Sequence, residues 1–176
     1  MKGKRFLAVW LVFCMLLGVL PSGFALEAQA ANYVSYEPAS TYYKNSKYYT
    51  QLSKVQLTGD KRTDIVNIAK SQLGYHEGNK MSELDGSNTK GTLNYTEYME
   101  KFNKPLQAQW WCAAFVSWCA QTAGLSNAQF YKSAACTYMK NHMLNFTRDS
   151  YSPQKGDIVF FKGTAAGKSG HLVFRS

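Results

Sequence analysis

The chain has 176 residues, 20 Lys and Arg against 11 Asp and Glu, a formal charge of +9, and 45% hydrophobic residues. That length suits one domain with attachments. Its basic residues are scattered without a run, which argues against nucleic acid as a partner.

Residues 1–30 read as a signal peptide. Lys2, Lys4 and Arg5 precede an apolar run from Phe6 to Leu20; Pro21-Ser22-Gly23 breaks it, and Ala28-Gln29-Ala30 has the small-x-small pattern of a cleavage site. The run is short for a membrane span and no second one follows, so no stable membrane anchor is expected. Cys14 follows the bulky Phe13 and belongs to the segment that is removed. Removal of residues 1–30 takes away three basic residues and Glu27, leaving a formal charge of +7. A basic exported protein is drawn to polyanions, and bacterial cell-wall polymers are the nearest outside a cell.

Residues 31–57 are rich in Tyr, Ser, Lys and Asn without steady period and read as a linker or loosely docked arm. The domain proper is expected over residues 58–176. Thr58-Gly59-Asp60 supplies cap residues for a helix with Ile65, Ile68, Ala69 and Leu73 on one face, ending at Gly74. A polar surface loop follows from Tyr75 to Leu93. Glu83, Asp85 and Asn88 lie in it without the EF-hand spacing. Asn94 to Phe102 predicts a short helix ahead of the Pro105 turn.

The chain is organised around Trp110-Trp111-Cys112-Ala113-Ala114-Phe115-Val116-Ser117-Trp118-Cys119-Ala120. Phe115, Val116, Cys119, Ala120 and Ala123 recur at helical spacing, which predicts a helix wrapped by protein and stopped at Gly124. Cys112 falls in its first turn, at the positive end of the helix dipole, where a thiolate is favoured. Cys119, one face along, reads as a small buried hydrophobe. One or two short helices are expected within residues 125–147, and His76 and His142 read as surface histidines. Pro153 to Asp157 predicts a turn and Ile158 to Phe161 a strand; His171-Leu172-Val173-Phe174 predicts a second strand, antiparallel to the first, with His171 at its first position.

Cys112, Cys119 and Cys136 are an odd number of cysteines, so at least one thiol is expected to stay unbridged. Cys112 and Cys119 stand roughly 10 Å apart along a helix, which leaves Cys136 with one of them or no bridge. Neither C-x-x-C nor H-E-x-x-H spacing occurs, and no metal or cofactor is expected. Cys112 with His171 has the makings of nucleophilic catalysis: the imidazole takes the thiol proton and returns it to a leaving amine. The Cys112 backbone N–H is a ready oxyanion donor, and Gln107 or Gln109 could add a side-chain donor.

Three segments together resemble the CHAP family of cysteine, histidine-dependent amidohydrolases and peptidases, within the NlpC-like, papain-like group. They are Trp111 to Cys119, Pro153 to Phe161, and Gly170-His171-Leu172-Val173. Ile65 to Tyr75 and Asn94 to Tyr98 resemble the N-terminal part of such domains, so the likeness runs over roughly residues 60–176. It implies an α+β papain-like fold with a nucleophile helix on a small antiparallel sheet. The implied activity is cleavage of peptidoglycan amide bonds, as an N-acetylmuramoyl-L-alanine amidase or an endopeptidase, by a secreted, wall-associated enzyme. Family members carry a third polar catalytic residue on a later strand. No residue here matches that position, and the missing strands are expected beyond Ser176, as in a truncated domain. The alternative is a wall-binding module of impaired or no activity, with Trp110 and Trp111 stacking on sugars in the substrate groove.

Overall fold

A computed structural model describes residues 32–102, 107–143 and 152–161, and the backbone of 172–174. The expected signal peptide and His171 lie outside these residues.

Two short helices, α1 (Thr41–Lys44) and α2 (Lys47–Leu52), each begin at a serine whose side chain accepts a first-turn N–H: Ser40 from Tyr42, and Ser46 from Tyr49. α3 (Lys61–Lys70) is capped by Asp60, which accepts from the N–H groups of Arg62 and Thr63. α4 (Glu97–Phe102), α5 (Cys112–Thr122) and α6 (Cys136–His142) follow. β1 (Ile158–Phe160) pairs antiparallel with β2 (Leu172–Phe174), with Ile158 opposite Phe174 and Phe160 opposite Leu172.

The centre is α5. Ala113, Ala114, Val116, Ser117, Trp118, Cys119 and Ala120 are all buried, and the three alanines let neighbouring backbones come close. α3, α4, α6 and β2 all pack against this helix. Trp118 fills the middle, with the rings of Tyr98 at 5.0 Å and Tyr36 at 5.2 Å. Such tilted and edge-on aromatic pairs add to the gain from burial. Lys61 Nζ donates to the Ala123 carbonyl at 2.6 Å, setting a cation at the negative end of α5. At the other side of α3, Arg62 bonds the Asp157 carboxylate at 2.6 Å and the Lys155 carbonyl at 3.1 Å, which holds the turn that leads into β1.

Within the arm expected over residues 31–57, the described residues 32–57 are not a loose linker. Tyr43, Tyr48 and Leu52 are fully buried in the same core as Trp118. The Tyr43 hydroxyl donates to Gln72 Oε1 at 2.9 Å, and the Tyr48 hydroxyl donates to the Gly74 carbonyl. The segment also closes on itself, Val34 N–H to Val55 carbonyl and Leu57 N–H to Asn32 carbonyl. Tyrosine explains the difference: its ring buries like phenylalanine while its hydroxyl needs one partner, so a run that reads as polar can be core. A second correction concerns Leu73, which is 74% exposed. α3 ends at Lys70 with Ser71 as its C-cap, and the chain turns away before Leu73 can continue the apolar face. Within residues 125–147, the described part forms one helix, α6.

The arm is pinned by Glu97, whose side chain is completely buried. Its carboxylate accepts the Tyr36 hydroxyl at 2.8 Å, the Ala39 N–H at 2.7 Å and the Ser40 N–H at 3.1 Å. Burial pushes its pKa up to about 7, against the opposing pull of those three donors and Lys101. The folded chain thus holds this proton more tightly than the unfolded chain, whose carboxyl titrates near 4.5. The resulting stability is fully present below 4.5 and lost as pH rises through about 7. Denaturant melts of the protein and of Glu97→Gln at pH 5 and pH 8 should show the native protein losing roughly 2–3 kcal/mol relative to the variant. A pH-independent difference would disprove the assignment.

Candidate functional site

The segment that leads into α5 is built by a sharp turn. Gln107 is buried, and its amide is fully engaged: Oε1 accepts the Thr96 N–H at 3.1 Å, while Nε2 donates to the Thr96 carbonyl at 2.9 Å and to Glu100 Oε2 at 3.3 Å. It braces the turn, and its donors are not turned to an oxyanion. Ala108 follows at φ 63°, a left-handed conformation that costs a residue with a Cβ about 1–2 kcal/mol. Gln109 is exposed. Trp110 is 69% exposed.

Trp111 points the other way. Its Nε1 donates to Glu77 Oε2 at 2.8 Å, and its ring lies 5.6 Å from Tyr98 and 6.1 Å, edge-on, from Phe115. The two tryptophans therefore have different surroundings, one at the surface and one held in the aromatic cluster. Glu77 is itself held by a close backbone approach: a Cβ on Gly91 would overlap the Glu77 carbonyl oxygen, so only glycine lets the two loop strands meet there. Nothing in the sequence ties Glu77 to Trp111, which are 34 positions apart.

Cys112 is the first residue of α5. Trp111 occupies the N-cap with φ −102° and ψ 4°, and no side chain caps the helix. The Cys112 thiol is half-buried and stands at the positive end of an 11-residue helix, the setting that lowers the energy of a thiolate. Cys119 is completely buried, and burial pushes its thiol well up, as befits a core residue.

Sequence spacing left open where Cys136 would lie. Its Sγ is 3.3 Å from Cys112 Sγ, and neither sulfur is in a disulfide. The approach is fixed by Ser117, buried on α5, which donates to the Ser133 carbonyl at 2.9 Å and accepts the Ser133 N–H at 3.0 Å. Ser133 in turn accepts the Ala135 N–H at 3.0 Å, just ahead of α6. The hydrogen bond with Cys112 pushes the Cys136 thiol strongly up, with burial and the Cys112 charge adding to it.

His76 Nδ1 lies 3.2 Å from the Glu77 carbonyl oxygen; His142 stacks on Tyr131 with ring centroids 3.8 Å apart. His171 is outside the described residues; β2, which begins at Leu172, packs beside α5. In the loop, Glu83 Oε2 accepts the Asn79 N–H at 2.8 Å and the Asn88 amide at 2.7 Å, and these bonds hold its carboxyl below the usual range. Among the described residues no cluster of three or more His, Cys, Asp or Glu could hold a metal ion, and no helix is long and apolar enough to cross a membrane.

Residues 103–174 match the family model of the CHAP domain. No curated protein and no solved structure matches the chain. The matched span contains α5, α6, β1 and β2, and is narrower than the likeness read from the sequence; α1 to α4 precede it.

Proposed function

We propose that this chain is an exported peptidoglycan hydrolase: residues 103–174 match the CHAP domain, a family of cysteine- and histidine-dependent amidohydrolases with a papain-like fold. Cys112 is its nucleophile and His171 its general base. The observation that carries the reading is the position of Cys112 in the first turn of a buried helix without a side-chain cap.

In this reading Cys112 Sγ attacks the carbonyl carbon of a wall amide while the His171 imidazole takes the thiol proton. The backbone N–H of Cys112 donates to the developing oxyanion, with the exposed Gln109 as a second donor. Collapse of the tetrahedral adduct breaks the C–N bond, and the imidazolium returns the proton to the leaving amine. Water then attacks the thioester carbonyl while giving a proton to the imidazole; the C–S bond breaks, the acid is released, and the proton returns to the Cys112 sulfur. Trp110 offers an exposed ring for stacking on a sugar next to the cleaved bond, and the net positive charge draws the protein to anionic wall polymers. The bond is an N-acetylmuramoyl-L-alanine amide or a peptide of the stem or cross-bridge.

The test is to incubate purified peptidoglycan with the protein, quantify new amino groups, and identify the released termini by mass spectrometry. New amino termini on wall peptides are expected. Co-sedimentation with walls without any release would overturn the hydrolase reading and leave a wall-binding module, the alternative that the exposed Trp110 favours.

A further inference from the structure

The 3.3 Å approach of Cys136 to Cys112 is unused by the reaction described above. It is also not forced by core packing, since both thiols are only half-buried while Cys119 on the same helix is sealed in the core. A second thiol built against a nucleophilic one has a definite chemical consequence in an oxidising compartment outside the cell. We propose that Cys136 is a resolving cysteine: on exposure to peroxide it captures oxidised Cys112 as an intramolecular disulfide, which switches the site off reversibly and protects its sulfur from irreversible oxidation. The proposal rests on the reading of Cys112 as a reactive thiolate.

The steps balance. The Cys112 thiolate attacks one peroxide oxygen; the S–O bond forms, the O–O bond breaks, and hydroxide leaves, so that Cys112 becomes a sulfenic acid. The Cys136 sulfur then attacks the Cys112 sulfur. The S–S bond forms, the S–O bond breaks, and the departing hydroxide takes the Cys136 proton and leaves as water. A small dithiol reverses the change by exchange, itself becoming the disulfide while both cysteines recover their protons.

Geometry favours this pairing over any other among the described cysteines. From 3.3 Å, the sulfurs need to close to about 2.05 Å. That movement falls on α6, a helix of seven residues, or on the side-chain torsions, and not on the packed α5. The Ser117–Ser133 bonds keep the start of α6 registered on α5 throughout. Cys119 lies two helical turns from Cys112 and cannot compete.

The experiment is limited peroxide treatment of the purified chain, followed by alkylation and peptide mass spectrometry before and after a dithiol. The expected result is a mass loss of about 2 Da, the two thiol hydrogens. A cross-linked peptide containing Cys112 and Cys136 should carry it, and both thiols should become alkylatable again after the dithiol. In Cys136→Ser, Cys112 should instead accumulate two or three oxygens that the dithiol does not remove. Multiple oxygens on Cys112 in the native protein, with Cys136 still alkylatable, would overturn the proposal, as would a cross-link only between chains. The underlying reading fails separately: undiminished wall hydrolysis by Cys112→Ala would remove the nucleophile, whereas the cross-link is read by mass alone.

Discussion

Replacement of Cys112 by alanine is expected to lower amide release from peptidoglycan by about a thousandfold or more, with the melting transition little changed. The size of the effect follows from the lack of a substitute. Cys136 is the nearest thiol, 3.3 Å away in the native protein, and burial, which the substitution leaves in place, disfavours its thiolate. Cys136 also heads a different and shorter helix, α6, displaced from the backbone N–H of Cys112 that serves as the oxyanion donor. Cys119 is fully buried, where no substrate reaches it. The stability part follows from position: Cys112 is half-buried at the rim of the core, so losing its sulfur leaves no closed cavity. Alanine also favours a helix more than cysteine does. Kinetics of amine release for the native protein and the variant, with thermal melts of both, check the two halves. Release within tenfold of native would remove Cys112 from the chemistry.

Deleting residues 32–57 is expected to abolish cooperative folding of the remainder, the largest stability effect we foresee. Tyr43, Tyr48 and Leu52 are fully buried, and the arm also covers Trp118 through Tyr36 and Tyr43. Burial of each large apolar side chain contributes about 1.5–3 kcal/mol, so the three together approach the whole of a typical domain's stability of about 5–15 kcal/mol. The deletion further strands buried polar groups: the Glu97 carboxylate loses the Tyr36, Ala39 and Ser40 donors, and Gln72 loses Tyr43. The single substitution Leu52→Ala isolates the packing part and should cost about 2–5 kcal/mol. Denaturant unfolding followed by tryptophan fluorescence reads both, since Trp118 lies beneath the arm. An unchanged transition after the deletion would restore the linker reading.

The contrast between these two regions is instructive. α5 was legible because a buried helix announces itself by apolar residues at a period near 3.6, and a Cys at its start falls at the dipole terminus whatever packs around it. The same local logic placed the Asp60 cap, the α4 helix and the turn before β1, where Asp157 accepts the Gln154 N–H at 2.8 Å. Leu73 misled because the apolar face was extended past the C-cap at Ser71.

The sequence by itself thus determined the buried helix α5, the place of Cys112 at its start and of Cys119 in the core, and the family likeness that residues 103–174 bear out. Each rests on local spacing or on a contiguous motif. Only the tertiary structure decided that the tyrosine-rich arm is core, that Gln107 is a brace, that Glu77 holds Trp111, and that Cys136 meets Cys112. The hydrogen bonds and the thiol contact among them join positions 11, 24, 34 and 61 apart in the chain. Their residues, Tyr, Gln, Glu and Cys, can sit at a surface or in a core, and which they do depends on whether folding supplies a hydrogen-bond partner, a fact that no local pattern carries.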